Sequence, residues 1–268
     1  MIRLFLAGLF AVSSSASAVI IRHDVKDSNY RVPASEFPAL VDMPGEGHGV
    51  LIAPRWVVTA AHTITYQTGI KQVSINGAPR DVDRIFVHPG YKNPPQELLN
   101  QALASWDWTL FRAFLSSSDD IALIRLVKPV TDITSVELNK SDDEVGQIVK
   151  VLGKGATGNG VIGYEFSDSH RTELRRSYNK ITTAHDRWLC FTFDEPSNAL
   201  PLEGGAGSGD SGGPFLMMNG NNWLLAGMTS WTDAQSTIRT PGRYGQITCG
   251  VRLSHYGTWI ESVISGQP

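Results

Sequence analysis

Residues 204–215 read GGAGSGDSGGPF, which places six glycines, two serines and one acid in twelve positions. Glycine loses more backbone entropy on folding than any other residue, so this composition serves neither an ordinary strand nor a helix. Backbone is being kept bare around a single Asp210-Ser211 pair. A hydroxyl is a poor nucleophile unless a neighbouring base takes its proton, and an oxyanion developing beside it needs uncrowded N–H donors. Gly209 leaves that space open two positions before Ser211. The N–H groups of Gly209 and Ser211 are therefore the candidate oxyanion hole, and Gly212 and Gly213 permit a tight bend and close packing behind the nucleophile.

Working outward, two further segments supply the partners such a serine needs. TAAH ends at His62, a candidate base, and SDDIALIRL offers a carboxylate to orient it, with Asp119 and Asp120 both available. Each segment alone is weak, because a histidine after two alanines or a serine in a glycine loop is more often structural. Together they have the three residue types that acyl transfer requires. The remaining histidines, 23, 48, 88, 170, 185 and 255, show no zinc-ligand spacing and read as packing or surface residues.

Around these segments lie short runs rich in Val, Ile, Leu and aromatics, separated by Gly, Pro, Asn and Asp: GVLIAPRWVVTA (49–60), DIALIRLV (120–127), GQIVKVLGKG (146–155) and NWLLAGMTSW (222–231). This is an all-β pattern of closed or sandwiched sheets. Two stretches depart from it. LSHYGTWIESVISG places Leu253, Tyr256, Trp259, Ile260 and Val263 at three- and four-residue steps, which predicts a C-terminal helix. After Pro94-Pro95, the positions of Leu98, Leu99, Ala102 and Leu103 predict a helical insertion near 94–118.

The 268 residues are compatible with one large domain or two small ones, and all-β barrels and sandwiches often reach this size as one unit. Hydrophobic residues make up 41% and charged residues 18%, with formal net charge −3, a balance that argues against disorder and against a nucleic-acid partner. Residues 1–18 read as an export signal: Arg3, the apolar run LFLAGLFAV, then Ala16-Ser17-Ala18. Nine apolar residues are too few to cross a bilayer, and no later run is longer. The expected mature chain is residues 19–268, without a membrane span, secreted or periplasmic. A disulfide between its two cysteines, Cys190 and Cys249, is chemically possible in that compartment, as are two buried thiols.

TAAH, DIALIRL, GDSGGPF and TSW, in this chain order, resemble the chymotrypsin/trypsin-like serine peptidases, over nearly all of the expected mature chain. The resemblance implies two packed six-stranded antiparallel β-barrels with the active site between them, in a secreted, bacterial-type member with few disulfides. It implies His62 as general base, Ser211 as nucleophile, and Asp120 as orienting acid, since the family's acid directly precedes an apolar strand. No metal or organic cofactor is implied, and the partner is a peptide or protein substrate; a monomer is the expectation. The family's disulfide across the histidine loop is missing at Gly47 and Thr63, and the one beside the nucleophile loop at Gly207. The nucleophile loop must then be held by packing and hydrogen bonds. The segment from His88 to Asp120 is longer than the family loop, which points to an insert overhanging the cleft or to a peripheral decoration.

The resemblance also implies a Cys190–Cys249 disulfide on neighbouring strands. It implies a specificity pocket from Gly205, Ala206, Ser230, Trp231, Thr232 and Thr248. Gly205 stands at the floor where an acid would select Arg or Lys, and Thr232 and Thr248 narrow the walls, so small or medium uncharged side chains are expected. Glu203 and Asp233 are the acids that could change this by entering the site. Cleavage after Ala18 would expose Val19-Ile20-Ile21, whose ammonium is expected to pair with Asp210 as in the family's activation. A second class of function, a non-catalytic peptidase-like binding or adhesion module, uses the same fold without the chemistry.

Overall fold

Val50, Leu51, Val57 and Val58 are fully buried, and the segment that carries them folds as the hairpin His48–Ala53 with Trp56–Thr59, turning at Pro54-Arg55. Short β-branched runs of this kind bury side chains on both faces only when the sheet closes or is covered. Here it closes: Leu40–Asp42, His48–Ala53, Trp56–Thr59, Ala122–Leu126, Ala78–Val87 and Gln72–Ile75 form a six-stranded barrel in that order. The computed structural model describes residues 19–67, 69–165, 173–233 and 240–266. The expected export signal, 1–18, lies outside the described residues.

The second half is a half-barrel sheet of seven strands. Its order is Arg175–Lys180, Ile148–Gly153, Pro214–Asn219, Asn222–Asp233, Ile247–Arg252, Trp188–Thr192 and Thr183–His185. All its neighbouring pairs are antiparallel. Cys190 and Cys249 stand opposite each other in adjacent strands and form the expected disulfide. A small three-stranded sheet joins Val19–Ile21 to Gly204–Gly205 and Thr157–Asn159.

One apolar cluster runs from the barrel (Leu51, Val58, Ile124) into the second sheet (Leu152, Leu216, Met228, Val251) and on to Ile260 and Val263 of the C-terminal helix Gly257–Ile264. The halves therefore share a core and cannot slide freely past each other. The helix is preceded by a 3-10 turn, Leu253–Tyr256, so the predicted periodicity is realised in two pieces. The insertion contains two helices, Gln96–Ser105 and Thr109–Ser116, broken where Trp106 adopts a left-handed backbone at φ 58°.

Candidate active site

The barrel's register brings His62 and Asp120 together. Strands Trp56–Thr59 and Ala122–Leu126 are antiparallel with Thr59 opposite Ala122, so the chain leaving the first and the chain entering the second emerge at one end. Ala60 and Ala61 are buried at that end, and His62 opens a one-turn helix, His62–Thr65. Asp120 holds it at two points: Oδ2 lies 2.7 Å from His62 Nδ1, and Oδ1 accepts the His62 backbone N–H at 2.9 Å. An ionised carboxylate only accepts, so Nδ1 carries the proton and Nε2 is left to receive one.

Asp119 is turned away, accepting from Tyr256 Oη at 2.8 Å and pairing with Arg187 at 3.1 Å. It anchors the C-terminal helix, whereas Asp120 faces the imidazole. Burial by itself pushes the His62 ring down, but the charge and hydrogen bond of Asp120, with a smaller push from Glu46, hold it above the ordinary histidine value. Burial likewise raises Asp120. His62 and the Ser230 hydroxyl outweigh it and keep the carboxyl below its ordinary value.

Ser211 belongs to the other half and is laced to the first. Its carbonyl accepts the His48 N–H at 2.7 Å, and His48 begins the strand hydrogen-bonded to the one leading to His62. Ser211 and His62 line a common cleft of about 430 Å³, together with Gly45 to Gly47, Tyr66 and Gln67. Gly209 has φ 87°, a backbone conformation that side chains rarely allow, and Gly212 has φ 74°. A methyl group on Gly212 would lie 2.0 Å from the His48 carbonyl oxygen. Among the described residues, the N–H groups of Gly209 and Ser211 donate to no protein acceptor. Asp210 is fully buried; Oδ1 accepts from Gly155 N–H at 2.8 Å and Oδ2 from Gly207 N–H at 2.9 Å. Hydrogen bonds thus hold the loop at Gly207, where the resembled family carries a cysteine. At the histidine loop, Thr59 Oγ1 donates to His48 O at 2.6 Å and Thr63 Oγ1 to Ala60 O at 2.7 Å.

Gly205, Ala206 and Thr248 lie together: a methyl on Gly205 would sit 3.7 Å from Thr248 Oγ1, and Ala206 N–H points to that oxygen at 3.4 Å. Thr232 pairs directly with Thr248 across the sheet. Glu203 and Asp233 are both engaged elsewhere. Glu203 accepts from the backbone of Asp194 and Leu200, its carboxyl raised by burial, and Asp233 pairs with Arg112. Sequence reasoning missed Gln246, which is buried beside Gly205; its Nε2 donates to Ala206 O at 3.2 Å, and its Oε1 accepts from Gly242 N–H at 2.6 Å. It also gave Ser230 only a pocket role. Ser230 Oγ donates to Asp120 Oδ2 at 2.5 Å, because a register shift between Thr229 and Trp231 turns it towards the first barrel. Trp231 lines a cavity with His62 and Asp120.

Val19 is buried at φ 64° and pairs with Thr157, two residues beyond the Gly155 that donates to Asp210. In the full chain its nitrogen is a peptide nitrogen that follows Ala18, so the expected ammonium arises only once the chain begins at Val19. Among the described residues, no cluster of three or more His, Cys, Asp or Glu could hold a metal ion, and no helix is long and apolar enough to cross a membrane.

The family model Trypsin matches residues 27–260. The chain is 30% identical over 235 residues to snake venom serine proteinase 14 of Crotalus adamanteus, a match covering 82% of this chain and 78% of that protein. It is 29% identical over 242 residues to renal glandular kallikrein of Mastomys natalensis, covering 82% and 81%. Among solved structures, neuropsin, a serine protease expressed in the limbic system of mouse brain, superposes with TM-score 0.63 over 88% of this chain and 98% of its own, at 21% identity. That likeness carries the fold, and the sequence matches carry the relationship: the chain belongs to the trypsin family and is a serine endopeptidase.

Proposed function

We propose that this endopeptidase works through an acyl-enzyme formed on Ser211, and that it acts outside the cytoplasm. Ser211 Oγ attacks the carbonyl carbon of the scissile peptide while His62 Nε2 takes its proton. The carbonyl oxygen becomes an oxyanion received by the N–H groups of Gly209 and Ser211. Collapse expels the amine, which takes the proton from His62, and a water then repeats the sequence to free the acid. The observation that carries this reading is the two-point hold of Asp120 on His62, with Ser211 in the same cleft. Ser230 completes the support by donating a hydrogen bond to Oδ2, the same carboxylate oxygen that faces His62 Nδ1.

For the residue before the scissile bond, Gly205, Ala206, Thr232 and Thr248 form a narrowed neutral pocket selecting small or medium uncharged side chains. Support comes from the engagement of Glu203 and Asp233, the two acids that could have made it cation-selective. A matched peptide series tests this: Ala or Val before the scissile bond should be cleaved faster than Arg, and the reverse order rejects it.

Export is proposed as the activating step. Signal removal after Ala18 would give Val19 a free ammonium, to be paired with buried Asp210. The β-branched Val19 is held at φ 64°, a steric outlier that depends on the preceding carbonyl, which cleavage removes. Chains starting at Val19 and chains with a few extra residues before it, both confirmed by mass, should differ strongly in activity. Equal activity rejects this step.

A further inference from the structure

Three consecutive main-chain donors follow strand Ile148–Gly153. Gly155 N–H reaches Asp210 Oδ1 at 2.8 Å, and Ala156 N–H reaches Ser208 O at 2.5 Å, so two of them hold the nucleophile loop. The first of the row crosses to the other half instead: Lys154 N–H donates to His48 Nε2 at 3.1 Å. His48 is fully buried, and its own main chain grips the same loop, with its N–H donating to Ser211 O at 2.7 Å and its carbonyl lying against Gly212. Residues 208–212 are therefore clamped between two jaws, one from each half. The His48 imidazole ties the jaws together.

An N–H donated to Nε2 needs a lone pair there, so the neutral ring carries its proton on Nδ1. Nδ1 faces Asp42 Oδ1 at 3.3 Å, and Asp42 stands directly opposite His48 in the paired strands Leu40–Asp42 and His48–Ala53. The Lys154 ammonium closes the circuit, donating to Asp42 Oδ1 at 3.1 Å and Oδ2 at 2.8 Å. Burial by itself would raise the Asp42 carboxyl, but His48 and Lys154 hold it well below the usual carboxylate range. We propose that His48 is a positioning residue for the peptidase reaction: its ring, oriented by Asp42, fixes residues 154–156 and through them the oxyanion loop 208–211. It touches no reacting atom. The clamp borders Gly47 and Thr63, where the resembled family carries a disulfide; a methyl on Gly47 would meet Thr63 Cγ2 at 2.9 Å and Ser211 O at 3.3 Å. A buried polar circuit thus stands in for the missing covalent link beside the nucleophile.

The inference rests on the reading of Ser211 as nucleophile, and the test separates the two. Folded mature wild type is first titrated with a fluorophosphonate; no adduct overturns that reading and this inference with it. With labelling established, kcat is expressed per titrated site, which removes unfolded chain from the rate. His48→Ala keeps the main-chain contact to Ser211 and loses the ring. It should lower kcat by about 10- to 100-fold, the cost of displacing reacting groups by up to about 1 Å, with KM within about twofold. His48→Gln offers Oε1 to Lys154 N–H and Nε2 to Asp42, and should recover most of the loss. Asp42→Ala should slow the enzyme by less, and D42A/H48A should be no slower than His48→Ala, because the two groups act as a unit. Asp119→Asn, which weakens the C-terminal helix contact instead, should leave kcat within a few-fold. Nitrogen NMR of histidine-labelled wild type should show the His48 ring protonated at Nδ1 and bare at Nε2. An unchanged kcat in His48→Ala, a His48→Gln as slow as His48→Ala, or a ring protonated at Nε2 overturns the positioning role while leaving the nucleophile reading intact. Losses that add in the double variant overturn the link to Asp42.

Discussion

The nucleophile loop 204–215 and the insertion 94–118 both border His62, yet they are held in opposite ways. Backbone fixes the first: Asp210 collects two N–H groups, Gly212 packs against the His48 carbonyl, and Ser211 O accepts from a barrel strand. Side chains fix the second, through Arg112–Asp233 and Trp188 on the Ser116 carbonyl, while Leu103, Trp106 and Leu110 remain exposed. A backbone-built loop tolerates almost no substitution and can hold reacting atoms to within fractions of an ångström. A docked helix tolerates change. Two regions around the same histidine are thus held by structurally different means.

The largest effect should fall on the loop. Ser211→Ala should lower kcat by a factor on the order of 10⁶ without altering the circular dichroism spectrum, because only the attacking atom is lost. Asp120→Asn should cost about 10⁴-fold by mis-setting the His62 tautomer, whereas Asp119→Asn should leave kcat within a few-fold and lower only stability, by about 1–2 kcal/mol through the Tyr256 contact. If the two aspartates behave alike, the division between catalytic and anchoring carboxylates fails.

Below these comes the disulfide. Cys190 and Cys249 are separated by 59 positions, and replacing both with serine should reduce stability by about 4 kcal/mol in the chain-entropy description, read from urea unfolding. The pH profile gives the finest comparison. In the proposed mechanism only the neutral His62 ring accepts the Ser211 proton, so kcat/KM should rise as pH rises through the His62 pKa, which lies above the ordinary histidine value. Asp120→Asn removes the dominant raising charge and should move this acid limb to lower pH. Glu46→Gln should move it the same way by less, as the weakest contribution. An upward move in either variant contradicts the electrostatic account.

How far these features can be read in the sequence follows the same division. Six glycines around Asp210-Ser211 mark a backbone constraint, and such constraints leave few alternative residues. That Asp119-Asp120 could supply a carboxylate to His62 is likewise visible, since TAAH ends one apolar run and SDD opens another, but the choice of Asp120 rests on the family resemblance. Ser230 was harder to place: its bond to Asp120 arises from a β-bulge, and no two-residue alternation marks where a strand slips register. Gln246 sits in a segment with no motif, and its role appears only when Gly242 and Ala206 converge on it. The insertion showed helical spacing but neither its break at Trp106 nor its direction, since docking depends on Asp233 and Trp188, more than 70 residues away in the chain. The all-β architecture of two packed halves with a C-terminal helix is legible in the sequence, and the second half takes the form of a half-barrel in which Thr183–His185 extends the edge beyond Trp188–Thr192.

The central claim is that Ser211 is activated by His62 under the control of Asp120. It is tested most directly by treating folded mature chain with a fluorophosphonate and mapping the adduct by peptide mass spectrometry. The account predicts one adduct per chain, on Ser211, forming far more slowly in Asp120→Asn and at an undiminished rate in Asp119→Asn. No adduct in folded protein, an adduct on another residue, or equal rates in wild type and Asp120→Asn would contradict it.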